Sequence, residues 1–113
     1  MTKITSGCYD GRCYFEAVGH AVAEDTESFG DNTEGGAVCA AVSILMLTAA
    51  RRLEEMDAQG DFINACITVE SGYALFDINP RESVREQVEE LIATLECGCS
   101  LLEENYPQLV CVG

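Results

Sequence analysis

Residues 37–56, AVCAAVSILMLTAARRLEEM, carry the segment on which the reading of this fold turns. Val38, Val42, Leu45, Ala49, Leu53 and Met56 recur at steps of three and four, which predicts one continuous helix. Ile44, Met46 and Leu47 add apolar side chains on its other faces. A helix apolar all round is buried on more than one side. In a chain of 113 residues the second side is expected to be a partner subunit. Arg51 and Arg52 mark the solvated last turns, and Gly60 lies just beyond the end.

Working outward, the helix is preceded by residues 22–36, VAEDTESFGDNTEGG, with five acids, no base and three glycines. This reads as a loop, longer than the usual connection of about 4–6 residues and of a length typical of lids and binding loops. Before it, two short runs rich in Ile, Thr, Tyr, Phe and Val flank Asp10-Gly11. Asp-Gly suits a two-residue turn with both central φ angles positive, so residues 3–18 are expected to form a hairpin. After the helix, Phe62–Glu70 alternates, with Ile63, Ala65, Ile67 and Val69 on one face. Ser71-Gly72 is a turn and residues 73–78 form the returning strand, ended by Asn79-Pro80. Ser83 with Glu86 three residues on fits a capping box. It opens a second helix whose apolar stripe is Val84, Val88, Leu91, Leu95, Cys99 and Leu102, with Gly98 admitting close packing or a bend. Pro107 ends this region and residues 109–112 are expected to form a last short strand. The order is ββαββαβ, an α+β sheet with two helices on one face and a homodimer as the expected assembly, within one domain spanning residues 1–113.

Six Lys and Arg face twenty Asp and Glu, a net charge of −14. Such a surface is repelled by phosphate backbones and anionic lipid, so neither nucleic acid nor membrane is expected as a partner; basic macromolecules are. The longest stretch without a charge, residues 35–50, has 16 residues, below the ~18 that read as membrane-spanning. Residues 1–12 hold no apolar block of a secretory signal, and the chain is expected in the cytoplasm. Seven cysteines, an odd number, fall short of the density of a disulfide scaffold and fit reduced thiols.

One of those thiols stands out. Cys39 falls in the first turn of the predicted helix, behind Gly35-Gly36, where unpaired N–H groups and the positive end of the dipole stabilise a thiolate. His20, the sole histidine, sits in Gly19-His20-Ala21 past the second strand and is the available proton carrier. Small residues on both sides of Cys39 leave room for a substrate backbone. Ser43, one helical turn on, can bond toward the site or back to the Cys39 carbonyl. The plainer reading of Cys39 is a small buried hydrophobe, and of His20 a surface residue. Cys8, Cys13, Cys97 and Cys99 form a weaker constellation: filling small gaps as free thiols is the plain reading, and a zinc set the functional one. No cofactor motif occurs in the sequence.

GHA at 19–21 followed by VCAAVS at 38–43, with a DG hairpin before and Tyr106-Pro107 after a glycine-interrupted helix, resembles the bacterial ribosomal-processing cysteine protease family, Prp. The resemblance runs from the opening hairpin through Asn105-Tyr106-Pro107. It implies a small α+β homodimer without cofactor or metal. It implies a cysteine endopeptidase that removes the N-terminal extension of large-subunit ribosomal protein twenty-seven. Cys39 matches the family's nucleophile and His20 its catalytic histidine; Gly19 and Ser43 match the supporting positions. Backbone N–H groups near Cys39 would supply the oxyanion donors. Two departures stand out. The family's Asp three residues before the cysteine is Gly36 here, and the interval of 19 residues from His20 to Cys39 is longer than usual. Asp31, Gly35 and Gly36 are the candidates for a lid or orienting position. The alternative function is a catalytically silent dimeric module that binds a basic ribosomal-protein tail, and a thiol or metal protein is a third reading.

Overall fold

The computed structural model describes residues 1–20 and 34–113. Its elements follow the expected order: β1 (Thr2–Tyr9), β2 (Arg12–Val18), α1 (Glu34–Ala58), β3 (Phe62–Glu70), β4 (Tyr73–Pro80), α2 (Arg85–Asn105) and β5 (Val110–Val112). The five strands form one sheet in the order β3-β4-β2-β1-β5. The β1–β2, β2–β4 and β3–β4 pairs are antiparallel, and β5 runs parallel to β1.

Asp10 and Gly11 both have positive φ, 53° and 78°, as the two-residue turn requires. That turn sets Tyr9 opposite Arg12 and Cys8 opposite Cys13. The second pair is of the narrow kind, with Cα atoms 4.1 Å apart, and the two sulfurs are joined in a disulfide. The expectation of reduced thiols throughout therefore fails here: a tight turn brings two cysteines five residues apart face to face. The zinc set fails with it, since two of its four ligands bind each other. Among the described residues no group of three or more His, Cys, Asp or Glu side chains converges on a metal position.

Alternate residues of the central strands point to the helices. Phe15 and Phe76, directly paired across β2 and β4, are completely buried, with ring centroids 6.3 Å apart and planes inclined by 28°. Ile4, Ala17, Ala74 and Ile78 extend this inner face, and Val38, Val42, Met46, Ala49, Leu53 and Met56 of α1 and Val88, Ile92, Leu95 and Cys99 of α2 close over it. Both helices thus cover one face of the sheet.

Three local expectations are corrected. Helix α1 starts at Glu34, so residues 34–36 belong to the helix and not to the loop. Ile63 is 59% exposed, because a bulge between Phe62 and Asn64 shifts the alternation and turns Phe62 into the core instead. The Ser83–Glu86 capping box does not form. Ser83 lies inside a single 3-10 turn, Glu82–Val84, and α2 starts behind it on Val84 without a side-chain cap. Gly98 does admit close packing: a Cβ there would lie 3.3 Å from Leu45 Cδ1 of α1. The segment Gly36–Ala58 is also long and apolar enough, by length and composition alone, to cross a membrane, which the count of uncharged residues does not capture. In this fold its inward stripe is the core of the sheet.

Phe76→Ala removes a fully enclosed ring from the centre of this packing and is expected to cost about 3–5 kcal/mol, read as a lowered urea midpoint.

Candidate functional site

The geometry of the site is set where β2 ends. Gly19 has φ +97°, and a Cβ on it would run into the Met1 carbonyl oxygen, so only glycine fits. Its N–H donates to the Gly72 carbonyl at 2.8 Å and its own carbonyl accepts from the Thr2 hydroxyl at 3.1 Å. These bonds pin the chain between the start of β1 and the β3–β4 turn, and the next residue, His20, is carried over Gly72. A Cβ on Gly72 would come within 2.7 Å of His20 Nε2. His20 is exposed and makes no hydrogen bond among the described residues.

Cys39 approaches from α1. It is half-buried and packs against the core beside Val38 and Val42. Because α1 begins at Glu34, Cys39 is the sixth helical residue rather than a member of the first turn. The unpaired N–H groups and most of the dipole effect belong to the turn before it.

His20 and Cys39 nevertheless line one pocket of about 110 Å³ that opens to solvent. Gly19 and Ser43 line it too, so four sequence-predicted residues converge there. The exposed Ser43 hydroxyl makes no hydrogen bond among the described residues, neither into the site nor back to the Cys39 carbonyl. Gly36 lies at the solvent-exposed start of α1, and Gly35 precedes it in the same helix. Asp31 lies outside the described residues.

The sequence reading did not find the rest of the lining: Thr2 from β1, and Val69, Glu70, Ser71, Gly72 and Tyr73 from the end of the β3–β4 hairpin. Ser71-Gly72 announced a turn, but nothing local linked that turn to His20. Glu70 puts a carboxylate on the pocket wall, and no Lys or Arg lines it among the described residues. The Tyr73 hydroxyl donates to Glu16 at 3.2 Å, and desolvation, followed by that carboxylate, raises its pKa above the ordinary phenol value. The site therefore offers a thiol, an imidazole, the small hydroxyls of Thr2, Ser43 and Ser71, and a negative rim. That set suits acyl transfer on a basic peptide.

The other thiols differ by burial. Cys66, Cys97 and Cys111 are exposed, whereas Cys99 is buried and its thiol is pushed up to about 11 by desolvation and then by Glu96. At pH 8 Cys99 stays protonated. Iodoacetamide is expected to label Cys66, Cys97 and Cys111 in the native protein, Cys99 only after denaturation, and Cys8 and Cys13 only after reduction, as read by peptide mass spectrometry.

A family model described as cysteine protease Prp matches residues 1–111. No curated protein matches the chain. Among solved structures, SMU.848 from Streptococcus mutans is similar with a TM-score of 0.63 at 23% identity, over 99% of this chain and 91% of that one. The essential ribosomal processing protease Prp from S. aureus, with a covalently linked product peptide, has a TM-score of 0.65 at 16% identity, over 100% and 98% of the two chains. The same protease with a substrate peptide has a TM-score of 0.65 at 15% identity over the same shares.

Proposed function

Given that this chain belongs to the cysteine protease Prp family, we propose that it is the endopeptidase that removes the N-terminal extension of large-subunit ribosomal protein twenty-seven, using Cys39 and His20. The observation that carries the reading is the convergence of the sole histidine and Cys39, from different elements, on one solvent-open pocket. The S. aureus relative, solved with substrate and product peptides, supports a peptide as the ligand.

The reaction runs as acyl transfer. The Cys39 thiolate attacks the scissile carbonyl carbon, forming the S–C bond and an oxyanion. His20 gives its proton to the leaving nitrogen as the C–N bond breaks, leaving a thioester on Cys39. His20 then takes a proton from water, whose oxygen attacks the thioester. The S–C bond breaks, the thiolate is restored and the acid product departs. Ser43 and Ser71, whose hydroxyls line the pocket, are the side-chain donors available to the oxyanion. The charge of −14 and Glu70 at the rim favour a basic ribosomal precursor, steering its approach. The reaction is proposed to occur in the cytoplasm, where ribosomal proteins are made.

Incubating the precursor with wild type and with Cys39→Ala or His20→Ala, and weighing the products, tests this. Wild type is expected to release the extension, and either variant to lose at least about 10³-fold in rate. Equal cleavage by Cys39→Ala overturns the reading. Binding of the precursor without cleavage by wild type would leave the silent binding module.

A homodimer belongs to the same proposal. Ile44 and Leu47 are 61% and 54% exposed on the side of α1 turned away from the sheet, where a second copy would cover them. Leu47→Asp is expected to turn a dimer into a monomer by sedimentation. A wild type that sediments as a monomer ends this part.

A further inference from the structure

We propose that Gly72 is a positioning residue for His20: the bare Cα of the β3–β4 turn is the wall against which the imidazole is held. This rests on the reading of His20 as the proton carrier. A histidine in a Cys–His pair needs a fixed ring, and a hydrogen-bonded acceptor commonly fixes it. Here the family's acidic position before the cysteine is Gly36, and the imidazole has no hydrogen-bond partner among the described residues. Among the described residues, the restraint on the ring is contact with the turn.

The contact is close and specific. A Cβ at position 72 would lie 2.7 Å from Nε2, 3.1 Å from Cδ2 and 3.2 Å from Cε1 of His20. Those three atoms are the far edge of the ring, so the imidazole abuts the very space that glycine leaves empty. The same residue accepts the Gly19 N–H through its carbonyl at 2.8 Å. One turn residue thus holds both the backbone that launches His20 and the ring at its end. Any side chain at 72 keeps the first contact and removes room for the second. A reacting group displaced by about 1 Å costs up to about 10²-fold in rate.

The chain has one histidine, so its ring C–H resonances need no assignment. Gly72→Ala is compared with Gly60→Ala. Gly60 has a similar φ, +83° against +74°, but nothing within 4 Å of its Cβ position, so it isolates backbone strain from displacement. Gly72→Asn is the second variant, since Asn tolerates the left-handed region better than Ala does. The expected result is that the His20 resonances move in the Gly72 variants and not in Gly60→Ala. With them, kcat on the precursor falls about 10- to 100-fold while KM changes less than about threefold. A folded Gly72 variant with unmoved His20 resonances, or with unchanged kcat, overturns the proposal. Failure of both Gly72 variants to fold while Gly60→Ala folds would make Gly72 a fold residue and overturn it equally. If wild type cleaves nothing, the protease reading falls, and the resonances still report whether Gly72 holds the ring.

Discussion

The antiparallel ladder between β2 and β4 sets Phe15 on Phe76 at one level and, four residues further along β2, brings Gly19 to the Gly72 carbonyl. One register thereby serves both the core and the pocket. The buried aromatic pair fixes how the strands align, and a slip by one residue would move every inner side chain to the outer face. The same slip would carry His20 away from the turn that it covers. The site needs no separate scaffold, because its histidine stands at the end of the pairing that holds the core together.

Helix α1 contributes the other half from a different constraint. Its inward stripe, Val38 to Met56, is anchored on the sheet, and Cys39 sits at the flank of that stripe, half in the core and half in the pocket. The thiol is therefore held by the packing of Val38 and Val42 beside it. His20 and Cys39 come to one pocket only through the tertiary fold, since they stand 19 positions apart in the chain.

The architecture was legible wherever local chemistry decides structure. Asp10-Gly11 set the first hairpin, the steps of three and four in residues 38–56 set α1, and the alternation after Phe62 set β3. What escaped was decided by competition or by distance. Gly35-Gly36 reads as loop because glycine is a poor helix former, yet α1 continues through both, propensity being a weak prior. Ser83 and Glu86 have the spacing of a cap, but a 3-10 turn occupies that stretch. Ile63 fits the apolar alternation until the bulge displaces it. At Cys8 and Cys13, composition argued for thiols where the geometry of the turn made a bond. Of the pocket, Cys39, His20 and Ser43 were marked by residue type and place in the chain, and Gly19 by the resemblance to the family. Nothing local tied Thr2, Glu70 or the turn at Gly72 to His20, because β2 pairs with β4 and not with β3, the next strand in the chain.

The bulge at Phe62–Asn64 has a bearing on solubility. An open sheet exposes a row of unsatisfied amides and carbonyls at each border, and those rows recruit other chains. Here one border is a strand of only three residues, Val110–Val112, and the other, Phe62–Glu70, is broken near its start by the extra residue. The first offers little template to another chain, and the bulge shortens the straight part of the second to residues 64–70.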